Sequence, residues 1–391
     1  MPLSVFPELT PRARWLRIIL LSATLLGLAA CPRLWLNTRD YPLLPVASWY
    51  PIVPGPWDKV VFGLVMLSLL AAFRFYRSSV MFFLGAALFL YGGDQTRGQP
   101  WLYLYWLMLL ATLAPERTAL AACRFILSAV YFWGGLQKFN PKFYATIPAF
   151  FSQPLADLGL PDFLVSSFRG AVVAAPIVEV FIGLALWIPR ARGLAIALVV
   201  MLHGSTLLVL GPLGHKYNFV VWPWNLAMIG LVIALFPADG IVRVWRDLRA
   251  SRGAVAGVML VCLLPGLSYR GWWDSSFSFA LYSQSQAMAD VFLTERVRDE
   301  LPPPLRDCVQ PLRQAYDPNL QGPFLFDHQA WAFHAVGVPP LMEVRGYRVM
   351  FRSLLGRTTH PEDLRMIVGP RRGPMELHTR EAVRVLDLES K

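Results

Sequence analysis

The chain has 391 residues, 55% of them hydrophobic and 16% charged, with fourteen tryptophans and a formal net charge of +11, and its mean hydropathy is +0.46. This composition excludes an ordinary soluble domain and points to an all-α polytopic membrane bundle carrying a smaller domain outside it. The basic excess is arginine at the ends of apolar windows, not a basic stripe interleaved with exposed aromatics, so membrane lipids are the expected partners and nucleic acid is not.

Arg12, Arg14 and Arg17 precede the apolar run 18–30, the pattern of a first span with a cytoplasmic N-terminus. Leu28-Ala29-Ala30-Cys31 is similar to the lipobox of bacterial lipoproteins, which makes Cys31 a candidate lipidation site, although Pro32 follows it. Prolines 42, 45, 51, 54 and 56 break residues 35–57 into an interfacial segment. Further apolar windows lie at 60–73, 80–91, 101–113, 119–137, 171–188, 193–213, 219–236 and 253–267, which with the first makes nine spans. Arg74, Arg77, Arg117, Arg190, Arg192, Arg243, Arg246, Arg249 and Arg252 then fall in inside loops, as the positive-inside rule requires. An odd number of spans places residues 269–391 on the periplasmic side of an inner membrane.

The outer loop 139–166 holds Pro141, Pro148, Pro154 and Pro161 and is expected to roof a site. Beyond the transmembrane domain, 1–268, the alternation of 277–283 predicts a strand, 303–312 and 328–336 predict short helices, and 366–368 a second strand. Together they predict a small exoplasmic α/β domain over 269–391, its last stretch, 376–391, being a loosely attached tail. Cys31, Cys123, Cys262 and Cys308 form no metal pair, and His328, His334, His360 and His378 have no ligand spacing and read as surface residues.

The window 119–137 is the most informative, because it carries Arg124 and ends on Lys138. At helical spacing Arg124, Ser128, Tyr131, Gly135 and Lys138 fall within about 80° of one another, a polar stripe that must face protein or water. Only five residues of the chain are lysine, against thirty-one arginines, and lysine can lose its proton where arginine cannot. Gly134 and Gly135 beside it admit a second backbone or a ligand. Glu179 and His203 lie at matching distances from the turn 189–192, so an antiparallel hairpin places them at one depth, where they can pair and carry a proton. Asn218 and Asn225 share a face of the next window and are candidate hydrogen-bonding groups for a ligand.

The order Arg124, Tyr131-Phe132, Gly134-Gly135, Lys138, Glu179, Gly183, Pro189, Arg192, His203 resembles the membrane domain of vitamin K-dependent gamma-carboxylases and their bacterial relatives, the HTTM family, over residues 101–237. That resemblance implies nine spans, an external C-terminal domain and a quinone or hydroquinone as ligand, with no metal. It implies Lys138 as the base that takes a proton from the hydroquinone, and Glu179 and His203 as a supporting proton relay. Arg124, Tyr131, Gly134, Gly135, Asn218 and Asn225 would form the surrounding ligand-binding set. Where the carboxylases carry histidine and asparagine before residue 101, this chain has Asp94-Gln95-Thr96-Arg97. Two functions are therefore expected: quinol-linked redox or proton-abstraction chemistry in an outward-facing cavity, or a non-catalytic assembly, export or maturation factor acting on an exported protein.

Overall fold

In a computed structural model of the chain, residues 6–236, 241–312, 323–369, 371 and 376–378 are described. Eleven helices come first: α1 (Pro11–Ala30), α2 (Gly55–Ala71), α3 (Tyr76–Gly93), α4 (Pro100–Ala111), α5 (Glu116–Gln137), α6 (Pro141–Asp157), α7 (Asp162–Ala185), α8 (Pro189–Leu210), α9 (Val221–Leu235), α10 (Ile241–Arg249) and α11 (Arg252–Leu267). Proline occupies the first turn of α1, α2, α4, α6 and α8, where its fixed φ suits the helix and its missing N–H would have had no partner.

Five helical segments, Pro11–Ala30, Glu116–Gln137, Asp162–Ala185, Pro189–Leu210 and Arg252–Arg270, are long and apolar enough to cross a membrane. The chain is thus a membrane protein by helix length and composition. At 12 and 15 residues α4 and α9 are apolar but short. Burial separates the roles: 72% of the α5 window is inside the molecule, against 28% for α7 and 22% for α8. Hence α5 is the central post, and α7 and α8 turn most of their apolar surface outward, the arrangement lipid permits and water does not.

The contact of α5 with α7 is backbone on backbone. A Cβ on Gly135 would lie 2.6 Å from the Pro176 carbonyl, and one on Gly183 would lie 2.8 Å from the Phe132 nitrogen. Small residues at both crossing points let dispersion and close approach hold the helices where hydrophobicity supplies no drive.

The turn Asp94–Arg97 is structural. Asp94 accepts from Arg39 at 2.5 Å and from the Leu44 and Thr96 amides. Arg97, 1% exposed, donates to the carbonyls of Leu34, Leu90 and Trp35 and to Asn37 Oδ1. These charge-assisted bonds staple the proline-rich segment onto the helices.

Beyond α11 lie β1 (Met288–Leu293), α12 (Glu295–Glu300), α13 (Pro303–Arg306), β2 (Val309–Pro311), β3 (Phe324–Phe326), α14 (His328–Val336), α15 (Val344–Leu355), β4 (Leu364–Gly369) and β5 (Glu376–His378). The strands form one antiparallel sheet in the order β2-β3-β1-β4-β5. It sits against the helical part through Trp331 Nε1 to the Asp40 carbonyl at 2.9 Å, Arg357 to Asp40 at 2.7 Å, and Arg345, which bonds Gln95 at 2.9 Å and forms an ion pair with Asp274.

Several expectations are corrected. Residues 139–166 are not an open loop: Asn140 caps the nitrogen of Phe143 at 2.9 Å and starts α6, because proline at its first turn is helix-compatible. Residues 277–283 are not a strand. A short 3-10 turn, Ser276–Ser278, leads into an irregular run with Phe279, Tyr282 and Gln284 at positive φ, 57°, 48° and 56°. No sheet edge is offered to it, and Asn140 takes the Ser283 carbonyl instead. Of 303–312 only Pro303–Arg306 is helical, and Val309–Pro311 is β2, whereas 328–336 is helical as α14 and 366–368 lies in β4. His328 is buried, at 8% exposure. Within 376–391, β5 pairs with β4; residues 379–391 lie outside the described residues.

Candidate functional site

A cavity of about 400 Å³ lies against α5. Val130, Tyr131 and Gly134 of α5 and Trp224, Asn225 and Met228 of α9 form its back, and α7 and α8 form its sides. Phe143, Ile147 and Phe151 of α6 close one end of it together with Phe279, Leu281 and Tyr282. Most of the lining is apolar; besides Ser205, Thr206 and Tyr282, its polar groups gather at two places along α5.

At the first, Lys138 Nζ donates to Glu179 Oε2 at 2.8 Å and to the Gly134 carbonyl at 3.0 Å. The side chains are 10% and 11% exposed. Lys138 follows the last residue of α5 and its side chain runs back one turn toward the helix carbonyls, where a cation is favoured. Gly134 makes the room: a Cβ there would lie 3.1 Å from Glu179 Oε2 and 3.6 Å from the Phe279 carbonyl.

At the second, Asn225 Nδ2 donates to the Val221 carbonyl at 2.6 Å, so its Oδ1 faces His203 Nδ1, also at 2.6 Å. An amide oxygen only accepts, which places the imidazole proton on Nδ1 and leaves Nε2 as an acceptor. Tyr131 then donates its hydroxyl to Nε2 at 2.8 Å. For the neutral ring the chain Tyr131, His203, Asn225 is therefore directional.

Lys138, Glu179, His203, Tyr131, Gly134 and Asn225 all line the cavity. The expected pairing of Glu179 with His203 is not made, because each has a nearer partner on α5: Lys138 for the carboxylate and Tyr131 for the imidazole. Three further candidates stand elsewhere. Arg124 is buried and donates through Nε to the Leu235 carbonyl at 2.5 Å, at the C-terminal end of α9, where it offsets the helix dipole. Gly135 meets the α7 backbone, not the cavity. Asn218, at φ 52°, reaches the cavity only through Tyr282, to whose hydroxyl it donates at 3.3 Å.

Phe279, Leu281 and Tyr282 are among the lining residues that sequence reasoning missed. Their signal was a run of aromatic residues among five serines and two glutamines, Ser275 to Gln286, too polar for a span. Among the described residues no group of His, Cys, Asp and Glu could hold a metal ion.

No family model, curated protein or solved structure matches this chain. The chemistry of the cavity thus rests on its own geometry: an ion pair and a neutral hydrogen-bonded chain that both face an apolar space.

Proposed function

We propose that this protein is a multi-pass inner-membrane protein of the HTTM and vitamin K carboxylase-like type, with nine spans, a cytoplasmic N-terminus and residues 269–391 in the periplasm. Its cavity takes a quinol or a similar amphipathic ligand and serves proton abstraction linked to redox chemistry. The observation that carries this reading is the Lys138–Glu179 ion pair, 2.8 Å long, bordering a largely apolar cavity. A buried ion pair contributes little to stability, so its place on the wall of a largely apolar cavity favours a functional role.

The donor set suits such a ligand. Apolar walls accept a flat ring and chain, while Lys138, Glu179, Tyr131 and His203 offer both donors and acceptors to oxygen atoms on the ring. A hydroquinone, if bound, would supply hydroxyl protons to these groups. Passage of the Lys138 proton to Glu179 over 2.8 Å frees the Nζ lone pair, which then accepts a proton from a hydroxyl held beside it. Tyr131 and His203 orient the same head from the neighbouring turn, and the closed outer side keeps water from competing.

The test compares wild type, Lys138→Ala and Lys138→Arg, purified in mild detergent at equal abundance. Mass spectrometry of co-purifying small molecules is followed by quinol turnover. The reading expects a quinone enriched by wild type and lost from folded Lys138→Ala, and no turnover in Lys138→Arg, because guanidinium keeps its proton. Retained cellular function in Lys138→Arg would instead favour a non-catalytic assembly or maturation factor, in which the lysine is an anchor.

A further inference from the structure

The cavity has a back, two sides and a closed end, and the remaining direction leads between α7 and α8. These helices are antiparallel neighbours joined by a short turn over residues 186–188. Ala171 and Ala175 of α7 and Met201 and Ser205 of α8 nevertheless line the cavity, so beyond the turn the two helices part and face a common space. Met201 is 68% exposed and thus belongs both to the lining and to the outer surface of the bundle. Around this slot the surfaces of α7 and α8 are turned largely outward, with only 28% and 22% of their windows inside the molecule, as is the α11 segment at 22%. A helix surface this apolar and this exposed borders lipid.

The side toward water is shut. Phe143, Ile147 and Phe279, at 1%, 5% and 1% exposure, cover it. Asn140 ties α6 to the Ser283 carbonyl at 2.7 Å, and Asn218 holds Tyr282 at 3.3 Å. His215 bonds the Phe150 carbonyl at 2.7 Å and stacks on the Phe150 ring at 4.1 Å. Opening this roof would break hydrogen bonds and expose aromatic surface, whereas the slot needs only the displacement of acyl chains.

We infer that the cavity is loaded sideways from the bilayer, through the slot between α7 and α8, by a membrane-resident lipid whose hydroxyl- or carbonyl-bearing head reaches Lys138 and His203 while its apolar chain stays in the slot. The inference rests on the cavity being a ligand site, as proposed above, and does not require Lys138 to act as a base. It excludes a freely water-soluble ligand and assigns the lips of the slot, Ala175 and Met201, to ligand access.

A test independent of the ligand's identity uses the full chain in lipid nanodiscs with a nitroxide label at Ala175→Cys, Cys31, Cys123 and Cys308 being buried and labelling of Cys262 being subtracted with the unsubstituted protein. Power saturation should show strong collision with oxygen, which partitions into lipid, and weak collision with a polar nickel chelate. The reverse ranking would mean that the cavity opens to water and would overturn the inference while leaving the ligand reading intact. In parallel, Ala175→Trp, or the milder Ala175→Leu if the first misfolds by size exclusion, should cut the recovery of chain-bearing ligand about tenfold, equivalent to about 1.4 kcal/mol. Unchanged recovery in a folded slot-blocked variant also overturns it. If instead Lys138→Ala and wild type recover the same lipids, the ligand reading fails whatever the collision data show.

Discussion

Replacing Lys138 with methionine leaves Glu179 without its partner in a site where both side chains are about nine-tenths buried, at 10% and 11% exposure. Over 2.8 Å and at an effective dielectric of about 20, the lost attraction is about 6 kcal/mol. Most of that attraction offsets the cost of taking two ions out of water, so the pair's net contribution is small. Removing one partner is a different matter: the uncompensated charge costs about 3–5 kcal/mol. Lys138→Met and Glu179→Gln should therefore each lower the free energy of unfolding by about 3 kcal/mol or more, while the double variant recovers most of the loss. Denaturation by SDS titration from mixed micelles measures all the corners of the cycle. Simple additivity, with the double variant losing the sum of the single losses, would refute the ion pair as described.

Gly134 and Gly135 are adjacent in sequence but should respond differently to alanine. Gly135→Ala drives a methyl to 2.6 Å from the Pro176 carbonyl and 2.7 Å from the Val180 nitrogen, both fixed backbone, and should cost about 1–3 kcal/mol by prising α5 from α7. Gly134→Ala meets the end of the flexible Glu179 side chain at 3.1 Å; it should fold normally and lose ligand. Thermal melting and ligand recovery distinguish the two. Outside the membrane, burial pushes the His328 imidazole down from 6.5 to about 4. Above 6.5 the ring is neutral in folded and unfolded chains alike, and between 6.5 and about 4 only the unfolded chain takes a proton. Stability of the sheet-bearing part of the chain should thus be full at neutral pH and fall by about 3 kcal/mol across that window. Hydrogen exchange of α14 in the full chain reads the slope, which His328→Phe should abolish.

The polar groups of the site were legible because each interrupts an apolar window: Lys138, Glu179, His203 and Asn225 could not face lipid. Their partners were not legible. Matching depth favoured Glu179 with His203, but the turn is 186–188, Pro189 and Arg192 being already in α8, so Glu179 lies much nearer the turn than His203, and each meets α5 instead, at Lys138 and Tyr131. The polar stripe of α5 was likewise real but served several neighbours: Arg124 the end of α9, Gly135 the α7 backbone, Lys138 the cavity. A stripe fixes direction around a helix, not what stands opposite along its length. In the sheet-bearing part β4 was visible because its burial alternates along Leu364–Gly369. By contrast the alternation of 277–283 belongs to a roof, where aromatic residues point at a cavity and polar ones tie the chain down. Periodicity cannot tell a sheet face from a cavity wall. The short strands β2 and β3, three residues each, acquire their character only by pairing.

Half of the roof of the cavity, the part beside α6, comes from a stretch of chain far downstream of the walls it closes, between α11 and β1. During synthesis α5 to α9 are made, and can insert, before Phe279, Leu281 and Tyr282 have been polymerised. The nascent site is therefore covered by α6 alone for as long as that interval lasts, its lysine and glutamate facing a half-roofed apolar hollow. Completion of the chain seals it, so a product that stops short of residue 279 would carry every polar residue of the site and still lack its enclosure.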